Sequence, residues 1–151
     1  MRSQKLALAL LANATLAALA PPLTAQDREY INGRSAADAN AAPFSGAVRV
    51  GDTLYLSGTL GLGPNQTVPA TPAEEARNVL NSIRATLEAA GMTMDDLVSV
   101  QVFCSDVAHY DAFNQVYRTY FTREYPARAF LGSGTLLFGA RFEVQGIAVR
   151  R

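Results

Sequence analysis

The stretch TPAEEARNVLNSIRATLEAAG, residues 71–91, predicts the central helix of the fold. Thr71 is a suitable N-cap, Pro72 suits the first helical position, and Glu74 completes a capping box. Gly91 is a typical residue at which a helix stops. Apolar residues recur along the stretch at steps of four and three, as in an amphipathic helix: Ala76, Leu80, Ile83, Leu87 and Ala90. One face of this helix is therefore expected to pack on a core.

Strand patterns lie on both sides of this helix. Before it, residues 47–50 and 53–57 flank Gly51-Asp52, a candidate two-residue hairpin turn. After it, apolar residues alternate as in a strand: Val98, Val100, Val102 and Cys104. Residues 112–121 then read as a second helix that buries Phe113, Val116, Tyr117, Tyr120 and Phe121. An aromatic stripe of this kind is more often core than ligand site.

The predicted order of elements is β-β-α-β-α-β-β, which is typical of an α+β domain. Two helices can cover one face of a single sheet and give two layers. On the last strand, Glu143, Ile147 and Val149 lie on one side and Phe142, Val144 and Ala148 on the other. Because both sides carry apolar residues, the uncovered face is expected to be buried in an oligomer.

Arg128 and Glu143 are the candidate functional residues. Each is a charge within a short apolar strand, PARAFL at 126–131 and RFEV at 141–144. If these strands pair as a hairpin centred between Thr135 and Leu136, Arg128 and Glu143 face each other. A guanidinium can hold a carboxylate, and a carboxylate can accept a proton or orient water. This arrangement predicts a site for a small carboxylic acid that reacts with water. The alternative is a structural ion pair.

Residues 1–25 are expected to be a signal peptide, with Arg2 and Lys5 before an apolar run and a small-residue cleavage site. The alternatives are an uncleaved anchor or a misassigned start codon. Cleavage predicts a periplasmic or secreted protein, with 26–41 as a flexible leader and 42–151 as the folded domain. It also leaves 11 basic and 13 acidic residues, a net charge of −2. That balance does not favour binding to nucleic acid or to an anionic membrane.

Cys104 is the only cysteine and His109 the only histidine, so no zinc site is expected. Cys104 is interpreted as a small buried apolar residue, with a reactive thiol as the alternative.

The chain from about residue 42 onwards resembles the Rid family, also called the YjgF-type family. Four stretches carry the resemblance: PFSGAV at 43–48, LYLSG at 54–58, EARNVL to LEAAG at 75–91, and PAR at 126–128 with Glu143. The resemblance implies a chorismate-mutase-like fold assembled as a homotrimer, with a site at each subunit cleft.

The resemblance also implies an activity, the hydrolysis of 2-imino acids or their enamine tautomers to 2-keto acids and ammonia without a cofactor. Arg128 matches the family's carboxylate-binding arginine, and Glu143 matches its water-positioning acid. Substrate-binding positions are also implied at Gly58, Phe44 and Phe130.

Three phenylalanines depart from the family pattern, and two of them lie at implied substrate-binding positions; the third, Phe142, stands where a smaller aliphatic residue is usual. Phe44 stands where the family usually has tyrosine, and Phe130 stands where it usually has a small residue or cysteine. Phe44 and Phe130 favour an alternative function, a non-catalytic module that binds small carboxylates. RNA cleavage, a third interpretation, is disfavoured by the charge balance. Asn114 matches a frequent helix asparagine whose role is interpreted as structural.

Overall fold

The computed structural model describes residues 27–151, which form one six-stranded sheet and two α-helices. The strands are β1 (Arg28–Ile31), β2 (Ala47–Val50), β3 (Thr53–Leu60), β4 (Leu97–Cys104), β5 (Ala127–Gly132) and β6 (Phe142–Val149). The helices are α1 (Pro72–Ala89) and α2 (Tyr110–Tyr117). The strand order is β1-β2-β3-β6-β4-β5, and β5 runs parallel to β4 while the other neighbours are antiparallel.

Helix α1 confirms its sequence prediction. The backbone N–H of Glu74 donates to the Thr71 side chain at 3.2 Å, and Pro72 is the first helical residue. Gly91 follows the helix with φ +68°, a conformation that glycine adopts without a steric penalty. The five apolar residues of the predicted stripe are each at most 4% exposed.

Helix α2 is shorter than predicted and continues as one 3-10 turn, Arg118–Tyr120. Phe113, Val116 and Tyr117 are buried, as predicted. Tyr120 and Phe121 are only partly buried, because the chain leaves the α-helical path before reaching them.

The predicted hairpin between the Arg128 and Glu143 strands is wrong. Strand β4 lies between β5 and β6, with Arg128 level with Val100 and Glu143 level with Phe103. Strand β5 follows β4 through α2, the helical crossover that a parallel pair needs. The chain from β5 to β6 therefore passes over β4 and does not close a hairpin.

The leader predicted at 26–41 is partly structured. Residues 28–31 form β1, which pairs antiparallel with β2 and buries Ile31 to 6% exposure. The expectation of little fixed structure is therefore wrong for this strand, because pairing with the β2 edge satisfies its backbone groups. The predicted signal peptide, 1–25, lies outside the described residues. Within 27–151, no helix has the length and apolar character needed to cross a membrane.

Both helices pack on one face of the sheet, so the predicted two-layer α+β class is confirmed. Buried residues from β3, β4 and β6 form the core on that face: Leu54, Leu56, Val100, Val102, Cys104, Phe142, Val144 and Ala148. Val98 was predicted to join them but is 47% exposed, because a register shift between Leu97 and Ser99 turns it away.

The opposite face of the sheet has no covering layer within residues 27–151. A groove of about 350 Å³ crosses it, between Tyr55, Gln101, Gln145 and Ile147. The Tyr55 side chain is 50% exposed there. On the last strand, β6, this open face is the side on which the sequence predicted apolar residues that no helix covers.

Cys104 is fully buried and donates its thiol to the Asp106 carbonyl at 2.9 Å. Burial raises the pKa of this thiol, which keeps it protonated and unreactive. The structure confirms the interpretation of Cys104 as a core residue.

Candidate active site

Arg128 lies on the edge strand β5, on the helix-covered face of the sheet. Its Nη2 donates to Asn114 Oδ1 at 2.8 Å. Three aromatic rings surround the guanidinium, with centroids at 4.6 Å for Tyr117, 5.8 Å for Phe130 and 5.9 Å for Tyr110. Cation–π attraction to these rings and the bond to Asn114 fix the direction of the guanidinium. We call these five residues the arginine half-site.

A cavity of about 200 Å³ adjoins this half-site. Arg128, Asn114, Tyr110 and Tyr117 line it, together with Arg118 and Tyr125. Since its lining carries two arginines and no acidic residue, the cavity favours an anionic ligand.

Glu143 lies near the start of β6, on the opposite, open face of the sheet. A register shift in β3 between Leu56 and Thr59 brings Gly58 directly against it. A Cβ at Gly58 would overlap Glu143 Oε1 and lie 3.1 Å from Glu143 Cδ. A side chain at position 58 would therefore displace this carboxylate from its present position. We call Glu143 and Gly58 the glutamate half-site.

Phe44 is tied to the glutamate half-site through its neighbour in sequence. The Ser57 hydroxyl donates to the Ser45 carbonyl at 2.6 Å, and the Ser57 N–H donates to the Gly46 carbonyl at 3.0 Å. These bonds hold the segment that carries Phe44 beside the β3 bulge. The Phe44 ring is 59% exposed and therefore free to contact a ligand or another subunit.

Glu75 anchors the start of β6. Its side chain is fully buried, and Oε1 accepts from the backbone N–H groups of Arg141 at 2.5 Å and Phe142 at 3.0 Å. Its Oε2 pairs with Arg141 Nη1 at 2.8 Å. The bonds fix the two residues that precede Glu143, so Glu75 sets the position from which Glu143 projects.

The two half-sites do not meet within one chain. Arg128 shares its face with Val100, which is buried under the helices, whereas Glu143 shares its face with Phe103. With one strand between them and three residues of offset, their Cα atoms are roughly 14 Å apart. None of the ion pairs among residues 27–151 includes Arg128 or Glu143. The alternative of a structural ion pair between them is therefore wrong for the single chain.

The structure thus divides the residues proposed from sequence into two groups. Arg128 and Phe130 belong to the arginine half-site, and Gly58 and Glu143 to the glutamate half-site. Within 27–151, no three His, Cys, Asp or Glu side chains converge on a metal position.

Sequence reasoning assigned Tyr117 to the core, did not consider Tyr110, and gave Asn114 a structural role. One signal could have identified them, since positions 110, 114 and 117 lie on one helix face and all three have polar groups. Tyr117 was predicted as core from its aromatic character, and it is indeed buried.

Comparison with known proteins places the chain in a family. The model of the family described as Endoribonuclease L-PSP matches residues 34–150. A goat (Capra hircus) protein named 2-iminobutanoate/2-iminopropanoate deaminase is 41% identical over 116 residues, 76% of this chain and 85% of the goat protein.

Solved structures agree with this assignment. RidA from an Antarctic Psychrobacter species has a TM-score of 0.68 and 32% identity, covering 74% of this chain and 92% of that one. E. coli TdcF with bound serine has a TM-score of 0.69 and 28% identity, covering 74% of this chain and 91% of that one. The match along most of the chain, together with the shared fold, shows that this protein belongs to the Endoribonuclease L-PSP family, which is the Rid or YjgF-type family that its sequence resembles.

Proposed function

We propose that this protein hydrolyses 2-imino acids, or their enamine tautomers, to 2-keto acids and ammonia. The observation that carries the proposal is the Arg128 guanidinium, which is held by Asn114 beside an open cavity and has no acidic partner within residues 27–151. Such a group suits the carboxylate of a small acid. The name of the goat relative and the serine bound to TdcF support a substrate of this class.

The active site is proposed to form between subunits of a homotrimer. Arg128 and Phe130 of the arginine half-site lie on the edge strand β5, which has no partner on its outer side within 27–151, and the glutamate half-site lies on the uncovered face. An assembly that covers the open face can bring the glutamate half-site of one subunit to the arginine half-site of the next. Neither half-site contains both a group that binds a carboxylate and a group that accepts a proton, so the proposed reaction needs the two half-sites together.

The proposed chemistry needs only water as co-reactant. Arg128 holds the substrate carboxylate and thereby fixes C2. Glu143 takes a proton from a water molecule as the oxygen of that water adds to C2, and it passes this proton to the imine nitrogen to give a 2-amino-2-hydroxy acid. Glu143 then carries the proton of the new C2 hydroxyl to the amino nitrogen. The C2–N bond breaks as the C2=O bond forms, and ammonia leaves from the keto acid. Acid–base assistance of this kind contributes roughly 10²–10⁴-fold.

A second candidate is a non-catalytic module that binds small carboxylates. Phe130 favours it, because its ring lies 5.0 Å from Tyr110 and adds bulk beside Arg128. A Glu143→Gln variant separates the two candidates. Both predict that 2-oxobutanoate binding survives, but only the enzyme has turnover to lose.

RNA cleavage, which the family description names, has less support in this chain. The net charge is zero for the whole sequence and −2 without residues 1–25. Nucleic-acid binding depends on basic side chains that neutralise phosphates.

The proposed shared site is tested by mixing two inactive variants, Arg128→Ala and Glu143→Gln. The substrate is a 2-imino acid generated in situ by an amino acid oxidase, and keto acid and ammonia are measured. Each variant alone is expected to be inactive. After subunit exchange at equal ratio, about one quarter of the sites join an intact arginine to an intact glutamate, so about one quarter of the wild-type rate returns.

A site contained within one chain gives no recovery in this experiment, since every chain then lacks one residue. Full activity of Arg128→Ala would refute the proposed role of the arginine itself. The mass of the assembly in solution tests the trimer independently.

Export to the periplasm or the medium is proposed from residues 1–25 alone. The N-terminal sequence of the mature protein tests it, and cleavage after Ala25 is the expected result.

A further inference from the structure

Arg118 is the second cation of the cavity beside Arg128, and the function proposed above gives it no role. These two arginines are the charged residues of the cavity lining, which contains no carboxylate. Arg118 is exposed and forms no ion pair within residues 27–151. A 2-imino acid with a single carboxylate occupies only one of the two cations. The other cation is therefore available for a second anionic group.

Helix α2 sets the spacing between the two cations. The Arg118 N–H donates to the Asn114 carbonyl, so Arg118 lies one turn beyond Asn114 on the same side of the helix. Side chains at this spacing have Cβ atoms about 5–6 Å apart, and they lean back towards the N-terminus of the helix. Asn114 Oδ1 accepts from Arg128 Nη2 at 2.8 Å. The Arg118 side chain therefore starts roughly one helical turn, about 5 Å, from the group that holds Arg128.

A dicarboxylate of five carbons matches this spacing. Its two carboxylate carbons are separated by four C–C bonds, which in an extended chain span about 5 Å. With one carboxylate on Arg128, the other lies where the long, flexible Arg118 side chain can donate hydrogen bonds to it. Because Arg118 is exposed, this second pair keeps part of its hydration and avoids the cost of burying two ions.

We propose that Arg118 is a specificity-determining residue that selects 2-imino dicarboxylates, such as 2-iminoglutarate, over 2-imino acids with one carboxylate. The proposal rests on the function proposed above and names the substrate class of the same site. Arg128 holds the carboxylate next to C2, and Arg118 binds the distal carboxylate. The hydrolysis itself is unchanged, with 2-oxoglutarate and ammonia as its products.

The test compares 2-oxoglutarate with 2-oxobutanoate, a keto acid that has a single carboxylate. Binding of each to the wild type and to Arg118→Gln is measured by calorimetry. The kcat/KM values are measured with the 2-imino acids that amino acid oxidases produce from glutamate and from 2-aminobutanoate. Arg118→Lys tests whether another cation at this position keeps the preference. Arg123→Gln is the matched control, since it removes the same charge from an exposed arginine outside the cavity lining.

The wild type is expected to bind 2-oxoglutarate about tenfold more tightly than 2-oxobutanoate, as for a hydrogen bond between charged groups. Arg118→Gln is expected to lose this preference and the corresponding preference in kcat/KM. Its affinity for 2-oxobutanoate should stay within about twofold of the wild type, because an exposed charge contributes little to a ligand that it does not contact. Arg118→Lys should keep most of the preference, and Arg123→Gln all of it.

Equal binding of the two keto acids by the wild type refutes the role of Arg118, and so does a preference that survives in Arg118→Gln or disappears in Arg123→Gln. Arg118 also lies at the C-terminal end of α2, where a cation can stabilise the helix. If Arg118→Gln unfolds at lower urea concentration and binds both keto acids equally less tightly, the residue is structural and the proposal is refuted.

Arg128→Ala separates this proposal from the proposed function. If Arg128→Ala loses 2-oxobutanoate binding while Arg118→Gln keeps the wild-type preference, the role of Arg118 is refuted and the proposed function stands. Unchanged binding in Arg128→Ala refutes the proposed function, and the selectivity with it.

Discussion

Gly58→Ala is expected to abolish most of the activity while leaving the fold intact. Glycine at this position has no side chain, and Glu143 occupies the space where one would lie. The new methyl carbon would overlap Oε1 and lie 3.1 Å from Cδ and 3.4 Å from Cγ of Glu143. Ordinary contact distances between such atoms are about 3.5 Å, so the carboxylate has to move by roughly 1 Å.

The displacement falls on the group proposed to hold the attacking water. A misplacement of about 1 Å at a reacting group can cost 10²-fold in rate, which corresponds to about 2.7 kcal/mol. The cost in stability is expected to be small, because the atoms that must move are at the end of a flexible, half-buried side chain. Gly58→Ala is therefore expected to lose most of its activity while its free energy of unfolding stays close to that of the wild type.

The assay is the release of keto acid and ammonia from 2-imino acids, with urea unfolding as the check on the fold. Gly63→Ala is the matched control, since its methyl carbon would meet Thr67 Oγ1 at 3.0 Å and nothing of Glu143. We expect wild-type activity from Gly63→Ala. Wild-type activity in Gly58→Ala would show that the position of Glu143 does not matter to the reaction and would refute this reasoning.

Two further predictions concern stability. Glu75→Ala leaves Arg141 and two backbone N–H groups without their buried acceptor, and is expected to lower the free energy of unfolding by about 3–5 kcal/mol. Glu88→Ala, which removes an exposed ion-pair partner 3.9 Å from Arg84, should change the free energy of unfolding by less than about 0.5 kcal/mol. If urea unfolding shows the same loss of stability for Glu75→Ala and Glu88→Ala, this prediction is contradicted. Because the pKa of Tyr117 is raised from 10 to about 12, the folded state retains this proton more tightly than the unfolded chain. That contribution to the free energy of unfolding is complete below pH 10 and disappears towards pH 12, so the wild type should lose stability relative to Tyr117→Phe across that range. A difference in unfolding free energy that stays constant from pH 10 to pH 12 would argue against this prediction.

Local structure was predictable where a few neighbouring residues decide it. The start of α1 follows from Thr71 and Pro72, and its end follows from Gly91, because capping and backbone conformation are local effects. The β2–β3 hairpin was found from Gly51-Asp52 for the same reason, and Gly51 has φ +58°. The exposed position of Val98 was not predicted, since a register shift leaves no reliable local signal.

The residues of the candidate site were predicted individually, but their positions relative to one another were not. Arg128, Gly58 and Glu143 were identified from their types and from the family resemblance. Their proposed contact relied on a hairpin, and the sheet places β4 between the two strands. Asn114 and Tyr117 reach Arg128 only because α2 packs over β5, which no spacing within the helix specifies.

The amino-acid pattern was enough to predict two helices, most strands, the amphipathic faces and the family. Each of these depends on residues that are close in the chain or on a pattern that repeats along it. Which strands are neighbours, and therefore on which face of the sheet each charged side chain lies, became clear only from the folded arrangement. The physical reason is that strands pair through backbone hydrogen bonds, which are the same for every residue except proline, so the packing of the whole sheet and its helices selects the partners.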